Sequence, residues 1–455
     1  MSMFAKLKLR AAAGNPARVG LIGAGKFGSM FLSQAWRTPG IHLVGVSDLS
    51  PAHAQDSMRR VGWPDSRFQA SSLEQAARTS ATFVTDDTAA MIASPFIDII
   101  IDATGSPAAG IRHVLAACEH RKHVIMVNVE ADALAGPLLA RHAAKAGIVY
   151  SMASGDQPAL IAELVDWART IGLEVICAGK GTKYLPVYHQ STPDTVWGHY
   201  GFTEEQVAGG DFNPQMFNSF LDGTKSALEM AAVSNACDLA PPDDGLAFPP
   251  CGVDDLPTLL RPVADGGILA KRGTVEVVSS LERDGRPVFR DLRWGVYAVF
   301  EAPTKYVRDC FQQYGLKTDE SGRFAAMYKP YHLIGLELGT SVASIATRGE
   351  PTGATSDWRG DVIAISKRDL KPGDTLDGEG GFTVFGKVVP AETSLAVGAV
   401  PIGLAHGMTL RNAVPANQPV RWSDVAYDST VQAISFRLEM EALFRKEKAI
   451  DRAAA

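Results

Sequence analysis

The chain has 455 residues, of which 46% are apolar and 21% charged, and a formal net charge of -6. At roughly 100–200 residues per domain, a globular chain of this length makes two to four domains. Its charge gives no field that would draw nucleic acid or an anionic membrane, so anionic ligands must be met by local clusters. Cys118, Cys177, Cys237, Cys251 and Cys310 are an odd set without close spacing. They suggest neither a disulfide framework nor a thiolate zinc site, and they fit a reducing compartment. The basic, alanine-rich start MSMFAKLKLRAAAGNPAR leads into no secretory apolar segment, and no later run has the ~20 apolar residues of a membrane span. A packing or frayed N-terminal arm and a cytoplasmic protein are expected.

Residues 18–28, RVGLIGAGKFG, read as a strand entering G-x-G-x-x-G, and SMFLSQAWR then has helical apolar spacing. In such a turn Gly23 permits the tight bend, Gly25 lets backbone approach a pyrophosphate, and Gly28 lets helix pack on strand. Lys26 and Phe27 complete the loop, and the helix aims its positive end at the phosphates. The next strand, IHLVGVSD, ends at Asp48, where an acid hydrogen-bonds a ribose hydroxyl. IDIIIDATGSP predicts a further strand with a turn at Thr104 and Gly105. After a helix over 108–121, HVIMVNVEAD predicts one more, whose end from Asn128 to Asp132 lies at the carboxyl edge beside a nicotinamide. A helix over 134–146, a strand at GIVYSMAS and a turn at GDQPALI opening another helix complete the pattern. Strands alternating with helices predict an α/β domain over 1–170 with a doubly wound parallel sheet.

From about residue 172 the pattern changes. LEVICAG, TVEVVSSL and WGVYAVFEA read as strands, NSFLDGTKSALEMAAVSNAC as one long helix, and YHLIGLELGTSVASIAT as an apolar segment. They predict an α+β catalytic and dimerisation domain over 171–350 with an antiparallel sheet. In the remainder, 351–455, DVIAISKRDLKPGDTL and MTLRNAVPANQPVRWSDV echo each other as extended runs with Pro-containing turns. This predicts a small β-rich module with nothing catalytic in it, closed by the helix SFRLEMEALFRKEKAI.

A Rossmann domain ahead of a second domain points to hydride transfer, because the nicotinamide needs a protein wall to hold substrate. Glu130 and Asp156 each follow a strand of the first domain, so the two carboxylates suit a hard divalent cation, or acid and base roles. Alternatively Asp156, before QPALI, is a helix N-cap. In AGKGTKYLPVY, Lys180 and Lys183 with the backbone N–H groups of Gly179 and Gly181 predict a loop that cradles a phosphate or a developing alkoxide. The alternative is a solvated loop with surface lysines. Asp222 and Ser226 stand at i, i+4, as do Lys225 and Glu229, the latter suggesting an exposed pair. Asp222 and Lys225 open the long helix and are catalytic candidates. Lys329 and His332, ahead of an apolar stretch, either touch ligand phosphate or cap the segment.

GAGKFG, VNVEAD, ASGDQPAL, AGKGTKY and DGTKSALEM together resemble the homoserine-dehydrogenase-like oxidoreductases, and within them the branch of 1-deoxy-D-xylulose 5-phosphate reductoisomerase-like enzymes. SKRDLKPGDTL and PANQPVRWSDV resemble the SAF module of antifreeze-like proteins. The resemblance implies rearrangement of 1-deoxy-D-xylulose 5-phosphate to a branched aldehyde phosphate and its reduction to 2-C-methyl-D-erythritol 4-phosphate, the committed step of a route to isoprenoids. It also implies NADPH, a magnesium or manganese ion held by Glu130 and Asp156, a phosphate clamp from the lysines, and a homodimer. Asp48 points instead to NAD, since its charge repels a 2′-phosphate unless Arg59 or Arg60 compensates. The same architecture also suits a dehydrogenase of homoserine or a related sugar acid or sugar phosphate.

Overall fold

The computed structural model describes residues 1–208 and 212–454. Two compact units are present, Met1–Leu160 with His332–Thr355, and Ile161–Tyr331 with Ser356–Ala455.

In the first unit six strands, β1 (Ala17–Ile22), β2 (Ile41–Ser47), β3 (Phe83–Thr85), β4 (Ile99–Asp102), β5 (His123–Met126) and β6 (Tyr150–Met152), form one sheet in the order β3-β2-β1-β4-β5-β6. Every neighbouring pair is parallel. The run Ile99, Ile100, Ile101 is buried on both faces, as a doubly covered parallel sheet demands. The strand order reverses between β1 and β4, which opens a crevice at their carboxyl ends. The sequence does not announce β3, whose three residues are too few to show a period.

Two expectations for this unit change, and the N-terminal arm takes the packing form of its two alternatives. The helix after β5 spans Val129–Ala146, so it begins ahead of the expected 134, with Asn128 as its N-cap accepting from Ala131 N. The apolar segment after His332 returns to this unit as His332–Thr355, most of which was expected inside the 171–350 block. There the helix Gly339–Arg348 puts Val342, Ala343 and Ile345 into the same core as Val19, Leu21 and Phe31. The N-terminal arm is a helix, Met3–Ala12. Its Lys6 and Arg10 donate to the carbonyls of Thr347 and Ala346, at the negative end of that returning helix.

In the second unit β7 (Glu174–Thr182), β8 (Thr274–Ser279), β9 (Val296–Glu301) and β10 (Phe324–Lys329) form a sheet in the order β10-β9-β7-β8. The sheet is mixed rather than antiparallel, because β7 and β8 run parallel while β9 opposes both β7 and β10. The single long helix expected across 218–237 is two, Pro214–Leu221 and Thr224–Cys237, broken where Gly223 takes φ +90°. Next, β11 (Gly360–Ser366) pairs antiparallel with β12 (Val384–Pro390), and the short β13 (Thr409–Leu410) pairs with β14 (Val425–Ala426). The final helix, Gln432–Ala454, is held to β11 by Arg437. This fully buried guanidinium donates to both oxygens of Asp361, at 3.0 and 2.5 Å, and to Glu441 at 2.9 Å.

Candidate cofactor and active site

The glycine turn after β1 has the geometry its spacing predicts. Gly23 sits at φ +94°, and a Cβ there would meet the Ala103 carbonyl oxygen at 2.7 Å. Gly28 lies so close to the turn that a Cβ would stand 2.2 Å from the Gly23 carbonyl oxygen. A Cβ on Gly25 would meet nothing within 4 Å. The first and third glycines are thus forced by packing, whereas the middle one faces open space at the N-terminus of the helix Lys26–Ala35. A pyrophosphate fits there, because free backbone donors and the helix dipole converge on it. Lys26 and Phe27 form the first turn of that helix.

Asp48, just past β2, accepts from Ala24 N at 2.9 Å through Oδ2 and from Ser50 N at 3.0 Å through Oδ1. One acid therefore ties the glycine turn to the end of β2. Arg59 is paired with Asp56 and Asp65, whereas Arg60 donates through Nη2 to the hydroxyls of Ser29 and Ser57. At the edge of β4, Thr104 Oγ1 and N both donate to Asp102, and Asn128 Nδ2 donates to Thr104 Oγ1 and the Ser106 carbonyl. Gly105, at φ +64°, is open to solvent and would clash with nothing as alanine. Asn128 and Thr104 thus brace the carboxyl edge.

Glu130 and Asp156 are both buried. Glu130 is in the first turn of its helix rather than at a strand end, and Asp156 precedes the helix Gln157–Thr170 and accepts from Gln157 N at 2.8 Å. Among the described residues no group of three or more His, Cys, Asp or Glu is arranged to hold a metal ion. Glu130 and Asp156 are thus two buried carboxylates with no third such ligand grouped beside them among the described residues.

The expected loop at Lys180 is a strand. Lys180 and both glycines lie within β7, the strand flanked by β8 and β9, and Gly181 N donates to the Gly295 carbonyl. A Cβ on Gly179 or Gly181 would strike the carbonyl oxygens of Glu276 or Leu292, so these glycines serve sheet packing, not anion binding. Lys180 is buried in an ion pair with Glu229. Glu229 and Lys225, expected as an exposed pair, are both buried. Lys183, one residue past the strand, donates to the His199 carbonyl at 2.6 Å and lies over the Tyr200 ring. Burial lowers its pKa, and Arg293 adds to the effect. Lys329 pairs with Glu163 at 2.7 Å on the surface of the second unit, whereas His332 belongs to the first.

Asp222 lies at the break between helices, so its i, i+4 relation to Ser226 is not helical. Its carboxylate is fully buried, accepts from Thr224 N, and pairs at 2.8 Å with Lys367. Lys367 also donates to the carbonyls of Ser191 and Gly381, each at 2.7 Å. Burial raises the Asp222 pKa and the Lys367 ammonium opposes the shift. Lys367 stands in SKRDLK, the module expected to hold nothing of this kind, and its partner is 145 residues away, so no local pattern marks it. Glu276 was also silent in sequence. Burial pushes it up to about 7, against hydrogen bonds from the backbone N–H groups of Val277, Ala247 and Phe248.

A parallel sheet in this order with a dinucleotide turn defines an NAD(P)-dependent oxidoreductase architecture. Family comparisons agree. Residues 17–126 match the oxidoreductase family with an NAD-binding Rossmann fold, residues 155–338 match the catalytic domain of oxidoreductase DRL, and residues 362–426 match the SAF domain. No curated protein matches the chain. Among solved structures, the chain is similar to a homoserine dehydrogenase from Thiobacillus denitrificans, at 19% identity and TM-score 0.35, over 49% of each chain. It is also similar to a probable dehydrogenase from Thermotoga maritima, at 15% identity and TM-score 0.39, covering 73% of this chain and 90% of that one. It spans about half, 48% and 49%, of the length of the first two structures matched.

Proposed function

We propose that the protein catalyses nicotinamide-dependent hydride transfer to a small polyhydroxy or phosphorylated carbonyl compound, with 1-deoxy-D-xylulose 5-phosphate the substrate to try first. The observation that carries this reading is the open face at Gly25, flanked by two glycines that packing forces. The resemblance of AGKGTKY and DGTKSALEM, and the catalytic-domain match over 155–338, support the substrate side. When bound, the nicotinamide supplies the hydride. Asp48 would hold the ribose hydroxyls, and with Arg59 paired to Asp56 and Asp65 it favours NADH over the NADPH that the resemblance implies. Lys183, with its lowered pKa, and Lys225 are the ammonium groups assigned to the carbonyl oxygen, where they stabilise the developing alkoxide and return a proton to it. A homodimer is part of this reading, and light scattering tests it.

The second reading is a dehydrogenase of homoserine or a related sugar acid or sugar phosphate, which needs no metal-dependent rearrangement. One assay separates the two. The absorbance of NADH and of NADPH is followed with 1-deoxy-D-xylulose 5-phosphate, with magnesium or manganese, and then with a chelator. Consumption that the chelator stops supports rearrangement followed by reduction. Consumption that survives it, or that appears only with homoserine or sugar acids, supports simple hydride transfer. No turnover of either cofactor with any of these substrates overturns both.

A further inference from the structure

We propose that the second unit carries a separate binding site for an apolar α-amino acid, where the β11–β12 pair meets the start of the helix Thr224–Cys237. A cavity of about 210 Å³ lies there, with His189, Phe248, Phe385, Asp244, Lys387 and Asn417 in its lining. This is far more than the ~10–15 Å³ that one water needs.

The floor is apolar and rigid. Phe248 and Phe385 are buried, Tyr184 stacks on Phe248 at 4.0 Å, and His189 stacks on Phe385 at 4.6 Å. Both nitrogens of His189 are occupied: Nδ1 donates to the Asp222 carbonyl at 2.7 Å, and Nε2 accepts from the Tyr184 hydroxyl at 2.9 Å. Burial lowers its pKa, so it offers a neutral ring face rather than a charge.

The rim is different. Lys387 and Asp244 both line the cavity, yet among the described residues neither side chain makes a hydrogen bond or an ion pair. A Cβ on Gly245 would meet Lys387 Cε at 2.7 Å, so the lysine stem lies across the residue after Asp244 while the two charges stay apart. Asn417 accepts from Gln190 through Oδ1, which leaves its Nδ2 to donate. An ammonium and a carboxylate that share one rim without pairing complement the carboxylate and ammonium of a single zwitterion. The ring-lined floor takes an apolar side chain. A simple anion or a simple amine would leave one rim charge unanswered.

The test is isothermal titration calorimetry on the full chain, without cofactor or substrate, using L-phenylalanine, L-leucine, phenethylamine and 3-phenylpropionate. At least one amino acid should bind, and each single-charge analogue should bind at least about tenfold more weakly. Lys387→Met and Asp244→Asn should each weaken the amino acid by about tenfold or more while leaving the melting temperature of the free protein unchanged. Silence with both amino acids at millimolar concentration overturns the proposal. So does equal binding of the amine or the acid, or full affinity in Lys387→Met. A failed reductase assay leaves these readings untouched, since no turnover is measured.

Discussion

The glycine turn of the first unit and the buried ion pairs of the second are both centres of order, but they are assembled in opposite ways. The turn is made from backbone at three closely spaced glycines, Gly23 and Gly28 forced by neighbouring carbonyls and Gly25 facing open space, and the Asp48 carboxylate ties it to β2. The ion pairs join side chains far apart in sequence, Lys180 to Glu229 across 49 residues, Arg437 to Asp361 across 76, and Lys367 to Asp222 across 145. A site built from backbone conformation tolerates few residue types at each position and so leaves a motif. A buried ion pair needs only opposite charge at two points that the fold brings together. Function in the first case depends on keeping space open, and integrity in the second on never leaving a charge alone.

Mutation can sharpen that contrast, beginning where the loss should be greatest. Arg437→Met leaves Asp361 and Glu441 without their buried guanidinium and should cost about 5 kcal/mol in chemical denaturation. Lys367→Met should cost about 3–4 kcal/mol by stranding Asp222, and adding Asp222→Asn should restore most of it. If the double variant is no better than the single one, the pair is not the source of the loss.

Glu276 gives the contrast a pH dependence. The unfolded carboxyl titrates near 4.5 and the folded one near about 7, so the folded protein binds this proton more tightly. The resulting stabilisation is complete below pH 4.5 and is lost as pH rises through about 7, an effect on the order of 3 kcal/mol. Glu276→Gln should flatten that slope in melts recorded across the range.

In the first unit the effects should fall on binding and not on folding. Gly25→Ala meets nothing in the protein, so its melting temperature should hold while NADH affinity drops by about thirtyfold, or ~2 kcal/mol. Gly28→Ala, against the Gly23 carbonyl, should lose stability as well. The smallest shift is reserved for Asp48→Ser, which should move cofactor preference toward NADPH by about tenfold, or ~1.4 kcal/mol, in paired titrations.

Much of the first unit was legible because its signals are periodic and local. Apolar runs separated by helical spacing, with a glycine motif after the first strand, are enough to predict a doubly wound sheet. Besides the short β3, an exception within that unit is the helix Gly339–Arg348, which reads as an apolar segment of the following domain because nothing in its own residues says which core it joins. In the second unit the apolar runs that became β7, β8 and β9 were visible, but strand direction was not, since a parallel and an antiparallel central strand carry the same buried pattern. AGKGTK misled for a related reason. Glycines forced by a neighbouring carbonyl look identical, in sequence, to glycines that cradle an anion.

The sequence by itself determined the dinucleotide turn, the alternating layers around it and the β-rich character of the C-terminal module, because short-range sterics and hydrophobic period dictate those. Tertiary structure alone decided that Lys180 is a buried ion-pair partner, that Asp222 is held by Lys367, and that His189, Lys387 and Asp244 share one cavity. A charged side chain gains its meaning from the partner that meets it after burial, and that partner is chosen by the fold.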